Sequence, residues 1–173
     1  MTIEASWVNH GTLIAWWLTW CCYVYVLVPL CLLLIAVAVF TRGWRARIAF
    51  AIVSLLLSWR AADALQKYFV RPRRLDWVVK HETSFSYPSS HASIVFGFYL
   101  LLAVFVWQSP LRYRRAGAGL IVLLGAGILW SRLALGAHYV TDLVGGALLG
   151  VTVVGVVASL WPTNVFERPS VPS

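Results

Sequence analysis

Hydrophobic residues run almost unbroken through five stretches of the chain, at about 12–40, 47–69, 92–107, 116–135 and 139–161. A helix crosses the hydrocarbon core with roughly 17–25 residues, so the third stretch is short for that task and the first is long. Inside a bilayer the backbone must satisfy its own hydrogen bonds, and continuous apolar runs therefore read as helices. The pattern predicts an all-α, polytopic transmembrane helical bundle of about five spans. Pro29 is a candidate kink, and six spans result if it splits the first run. Gly145, Gly146 and Gly150 give the last segment a small-residue face that another helix can approach closely. No repeat or low-complexity linker interrupts the chain, so residues 1–173 read as one integral membrane domain with a frayed tail at about 162–173.

Composition agrees with the pattern. The 173 residues are 61% hydrophobic and 12% charged, against roughly 25% charged residues in a soluble domain. The net charge of +8 suits lipid headgroups or a phosphorylated substrate. Nucleic acid is not expected as a partner, because no separate soluble basic domain exists to carry it. Cys21, Cys22 and Cys31 have neither disulfide-framework nor zinc-site spacing and read as small apolar fillers. The opening "MTIEASWVNHG" lacks a basic n-region, and the following run is too long for a signal peptide, so it reads as a retained span.

The arginines suggest an orientation. Arg42, Arg45 and Arg47 fall in one inter-span loop and Arg112, Arg114 and Arg115 in another. With five spans these loops share a face, and the positive-inside rule makes it cytoplasmic. Yet the 70–91 loop on the other side is also basic, with Arg71, Arg73, Arg74 and Lys80. Those charges call for a purpose other than topology. Arg60 and Asp63 read as an ion pair within the second span or as support behind the site, and Trp77, Trp107 and Trp130 as part of an interfacial aromatic belt.

Three polar clusters fall on that outer face: "KYFVRPRR" (Lys67 to Arg74), "YPSSHAS" (Tyr87 to Ser93) and "SRLALGAHYVTD" (Ser131 to Asp142). Each alone has a plain explanation, as snorkelling arginines, a helix cap or a satisfied polar pair. Together they supply the parts for phosphoryl transfer through histidine. His138 and Asp142 are four apart and would share a helix face. The carboxylate can then fix the imidazole tautomer and leave the other nitrogen free to attack. Arg132 and the arginines at 71, 73 and 74 can hold phosphoryl oxygens with permanently charged forks. Ser89 and Ser90 stand at a helix start, which favours an anion, and His91 is placed to protonate a leaving oxygen. No carboxylate cluster forms a metal cage, so no metal and no cofactor are expected.

These residues resemble the type 2 phosphatidic acid phosphatase superfamily, whose motifs are K-x6-R-P, P-S-G-H and S-R-x5-H-x3-D. Ser131, Arg132, His138 and Asp142 match the third in full. Pro88, Ser89 and His91 match the second, with Ser90 where glycine is usual. The first departs more. Lys67 and Arg74 keep its spacing, but Leu75 replaces its proline, and a second register built on Arg71-Pro72-Arg73 puts Arg73 at the arginine position. Pro72 can fix the chain leaving the helix only in that second register, which favours Arg73. The resemblance covers about 60–150, and one span fewer than the family's usual six is a departure.

The resemblance implies a membrane phosphatase acting on a lipid phosphate or diphosphate. It makes His138 the nucleophile, His91 the acid and Asp142 the orienting group. Lys67, Arg71, Arg73, Arg74, Ser89, Ser90, Ser131 and Arg132 then bind phosphate. Undecaprenyl diphosphate is the first choice of substrate, ahead of phosphatidylglycerophosphate, phosphatidic acid and the phosphate of lipid A. Phosphoryl transfer to a second lipid is the enzymatic alternative. A silent lipid-binding or transport protein is the non-enzymatic one, and it has no use for a nucleophile. The expected setting is a bacterial inner membrane, with the site facing the periplasm or cell exterior.

Overall fold

Hydropathy placed the spans closely, because only helices satisfy an apolar run of that length. The computed structural model describes residues 10–73, 84–162 and 165–166. Its helices are α1 (His10–Trp20), α2 (Val24–Phe40), α3 (Arg45–Phe69, entered through a 3-10 turn at Arg42–Trp44), α4 (Ser90–Gln108), α5 (Arg114–Ala134) and α6 (Val140–Leu160). Helices α3 to α6 are each long and apolar enough to cross a membrane, and the bent pair α1–α2 gives a fifth if it crosses as one span. At 11 residues, α1 rises only about 16 Å and is too short to cross alone.

α4 is the central helix: 67% of its apolar window is buried, against 28% for α5 and α6. Glycines allow that density. A Cβ on Gly97 of α4 would lie 2.1 Å from Ser58 Oγ of α3, and one on Gly150 of α6 would lie 2.6 Å from the Ser93 carbonyl oxygen. A π-helical turn at Val95–Tyr99 accommodates this crossing. Phe50, Phe98, Phe105 and Ile128 fill the core beneath.

The first span breaks, but not at its proline. Pro29 lies within α2, while α1 and α2 diverge by 51° across Cys21–Tyr23. As the sixth residue of α2, Pro29 is past the first turn and leaves one helical hydrogen bond unmade, yet α2 continues through it. Upstream, the Tyr99 hydroxyl donates to the Cys21 carbonyl at 2.5 Å and satisfies one acceptor that the break releases. Two ionic expectations also change. Asp63 pairs with Lys67 (2.8 Å) instead of Arg60, which is exposed. Arg47 is no loop arginine: it is buried in α3 and donates to the Val165 carbonyl at 3.1 Å. Trp107 and Trp130 are half exposed at span ends, as a belt requires; Trp77 and Lys80 lie outside the described residues.

Candidate active site

One end of the bundle gathers the last turn of α3, the first turns of α4 and α6 and the last turn of α5. Short polar links fix them. Gln66 Nε2 donates to the Pro88 carbonyl at 2.8 Å, tying α3 to the entrance of α4. The Ser89 N–H donates to the Asp142 carbonyl at 3.0 Å, tying α4 to α6. A Cβ on Gly146 would meet the Ser89 carbonyl oxygen at 2.3 Å, so this approach requires glycine.

His138 is aimed by the end of α5. The N–H of Ala137 bonds to the Arg132 carbonyl and that of Gly136 to the Leu133 carbonyl, both at 3.0 Å. With Gly136 left-handed (φ 68°), this is a Schellman closure, which favours glycine at that position. The chain then extends through Ala137 and His138 before α6 begins. His138 therefore precedes the helix, and the expectation that it shares a helical face with Asp142 is corrected. The two meet through a cap instead. Asp142 Oδ2 accepts the Tyr139 N–H at 3.0 Å and lies 3.4 Å from His138 Nδ1, a stretched contact. The other oxygen, Oδ1, accepts from Arg71 at 2.7 Å.

The tautomer follows from the donors. Arg73 lies 3.2 Å from His138 Nε2, and a guanidinium can only donate. Nε2 therefore accepts, the proton sits on Nδ1 facing Asp142, and the Nε2 lone pair faces Arg73. Burial and the nearby charges of Arg132 and Arg73 outweigh the Asp142 hydrogen bond and push the His138 pKa down to about 4. The imidazole is neutral at pH 7, as attack on phosphorus requires.

The predicted residues separate on inspection. His138, Asp142, Arg71, Arg73, Arg132, Ser89 and His91 converge. Arg132 is 1% exposed, and its Nη1 donates to Thr19 of α1 at 2.6 Å. His91 is 7% exposed, lies within electrostatic range of Arg132, His138 and Arg73, and stacks edge-on with Tyr23 at 5.5 Å. Its buried Nε2 has no hydrogen-bond partner among the described residues. Ser89 caps α4, its Oγ accepting the Ala92 N–H, and the partly exposed Ser90 is the first helical residue.

Others fall away. Lys67, expected to reach phosphate on its flexible stem, is 69% exposed and paired with Asp63. Ser131 is fully buried, and its hydroxyl bonds back to the Ile128 carbonyl at 2.6 Å. Arg74 lies outside the described residues. Thr19, Ser84, Thr141 and Gln66 were missed. Ser84 holds Arg73 through both its carbonyl and its hydroxyl, each at 2.7 Å, and Thr141 accepts from Arg71 at 2.9 Å. Among the described residues no three His, Cys, Asp or Glu side chains gather.

The family model described as "PAP2 superfamily" matches residues 52–166, which contain both histidines and the aspartate. The chain belongs to the PAP2 superfamily. Relatives agree with that membership. The Escherichia coli (strain K12) protein named "Putative undecaprenyl-diphosphatase YbjG" is 33% identical over 107 residues, which are 60% of this chain and 50% of that protein. The chain thus spans half the length of this curated relative. The fold is that of another PAP2 structure, a transmembrane phosphatidylglycerolphosphate phosphatase from Bacillus subtilis. The match has TM-score 0.75 and 21% identity and covers 91% of this chain and 78% of that one. This PAP2 protein is an integral membrane protein, with His91 and His138 at one end of the bundle.

Proposed function

We propose that the protein is a lipid phosphate phosphatase that works through a phosphohistidine, with undecaprenyl diphosphate or a similar polyprenyl diphosphate as substrate. One observation carries the reading: a neutral, buried His138 whose Nε2 lone pair faces a guanidinium, with Asp142 behind its other nitrogen. A site built only to hold phosphate has no need of a nucleophile. In the resting enzyme Arg73 occupies the position that phosphorus must take. On binding, its N–H groups transfer to a phosphoryl oxygen and free the lone pair, while the buried Arg132 nearby adds a second charge.

His138 Nε2 attacks phosphorus, the P–O bond to the leaving group breaks, and His91, protonated once the anionic phosphate lies beside it, gives that proton to the departing oxygen. Asp142 stabilises the positive ring that forms. Water, deprotonated by the now neutral His91, then attacks phosphorus and releases inorganic phosphate and His138. The similarity to YbjG, whose name assigns it a polyprenyl diphosphate, supports the choice of substrate. The arginine-rich loops lie at the other end of the bundle, which supports a site facing away from the cytoplasm.

Phosphate release by detergent-purified protein tests the reading against undecaprenyl diphosphate, phosphatidylglycerophosphate, phosphatidic acid and lipid A. The diphosphate should give the highest kcat/KM. A preference for a glycerolipid would overturn the carrier assignment, and a phosphoryl group recovered on a second lipid would make the protein a transferase. No release from any of them would remove the phosphatase reading.

A further inference from the structure

Arg132 is the most buried cation of the site, and burying a guanidinium is costly unless acceptors meet its N–H groups. One acceptor comes from outside every motif. Arg132 Nη1 donates to the Thr19 hydroxyl of α1 at 2.6 Å, and Thr19 is itself only 3% exposed. The Thr19 backbone carbonyl is in polar contact with the His91 ring, so one residue of α1 meets both the arginine and the acid. Its place is fixed from both sides. Before it, a Cβ on Gly127 of α5 would lie 3.2 Å from Leu18 Cδ1, so α1 packs closely there. After it, the Tyr99 hydroxyl of α4 holds the Cys21 carbonyl, and Tyr23 lies edge-on to His91. Trp16, Trp20 and Tyr23 line a cavity of about 130 Å³ against Arg132. In such surroundings a charged hydrogen bond is weakly screened.

We propose that Thr19 is a positioning residue of the site: its hydroxyl sets the plane of Arg132 for the phosphoryl group, and its carbonyl restrains His91 on the leaving-group side. The inference rests on the lipid-phosphatase reading and adds to that site a residue of the first apolar run. A guanidinium is rigid and planar, so a bond at one Nη fixes the directions of its other N–H groups. Donors stabilise a transition state best when they are aimed before the charge develops. Thr19 therefore acts on phosphoryl transfer through Arg132, without touching the substrate. This gives α1, too short to cross a membrane alone, a task in the chemistry.

Substitutions in the full chain separate this role from simple packing. Thr19→Val keeps the volume and removes the acceptor, Thr19→Ala removes it without crowding, and Thr19→Ser keeps it. The valine and alanine variants should each lower kcat/KM for farnesyl diphosphate by about 10- to 100-fold, with the serine variant within about threefold of the parent. Orthovanadate, which adopts the five-coordinate shape of phosphorus during transfer, gives a readout that a merely structural threonine would not move. Its dissociation constant, measured by calorimetry, should rise at least about tenfold in the valine and alanine variants and be restored by serine. An unchanged vanadate constant, or equal losses in all three variants, would overturn the proposal. If vanadate binding weakened as expected but the parent hydrolysed no lipid phosphate, the phosphatase reading would fail and the positioning role would stand. If the parent hydrolysed lipid phosphate and the valine and alanine variants matched it in both measurements, the role would fail and the reading would stand.

Discussion

The two ends of the bundle both carry arginines, and the same side chain meets opposite fates. At one end Arg45 donates to the Ala38 and Val39 carbonyls at a helix terminus, Arg114 donates to the Ser109 carbonyl, and Arg112 and Arg115 lie over Tyr113 and Trp107. Most of these cations are exposed and use only local partners. At the other end Arg132 is buried against Thr19, 113 positions away in sequence, Arg71 grips Asp142, and Arg73 is forked between Ser84 and His138. Exposed arginines with nearby carbonyl partners anchor helix ends and contribute little individually. Around a neutral histidine, one buried arginine and two half-buried ones are held by distant residues, an arrangement suited to an anion. Arg47, at the first end, is also buried against a distant carbonyl, so what marks the second end is the histidine–aspartate pair that its arginines surround.

The sharpest break in that comparison comes at the histidines. His138→Ala should reduce lipid phosphate hydrolysis to background, and His91→Ala should lower kcat by about 10²- to 10⁴-fold. Both variants should elute from size exclusion like the parent. A His138→Ala enzyme at parental rate would end the nucleophile assignment.

Next in size is Arg73→Ala, which should cost about 2–4 kcal/mol in the transition state, or about 30- to 1000-fold in kcat/KM. Larger loss at Arg74→Ala than at Arg73→Ala would restore the other register of the first motif. A pH profile sharpens the same point. The neutral form of His138 is the reactive one, and its pKa of about 4 keeps it neutral above that value, so its acid limb in kcat/KM lies near 4 and not near the usual histidine value of about 6.5. Removing the Arg73 charge should move that limb upward. A limb unmoved in Arg73→Ala would mean that the cation does not act on His138.

The smallest effects belong to the exposed cations. Arg45→Ala and Lys67→Ala should each leave kcat/KM within about twofold. A large loss at Lys67 would show that it swings from Asp63 to phosphate on substrate binding.

How much of this was legible without coordinates follows from where each signal resides. The apolar spans were visible because bilayer thickness and backbone hydrogen bonding dictate length and composition. His138, Asp142, Arg132 and His91 were visible because costly polar groups at apolar boundaries demand a reason. Thr19 was not: a threonine in an apolar run has no local signature, and its role exists only because α1 packs against α5. The break at Cys21–Tyr23 was hidden too, since Pro29 carried the stronger local signal while tertiary contacts decided the outcome. The pairing of Lys67 with Asp63 was not legible, because spacing says nothing of where a flexible side chain finds its partner.

The central claim is that phosphorus passes through His138. Purified protein mixed with ³²P-labelled polyprenyl diphosphate and quenched in alkali within the first turnover should carry label on the peptide containing His138. That label should be lost in acid, survive base and be missing from His138→Ala. Hydrolysis proceeding with no protein-bound phosphate at any quench time, or with label on another residue, would contradict the account.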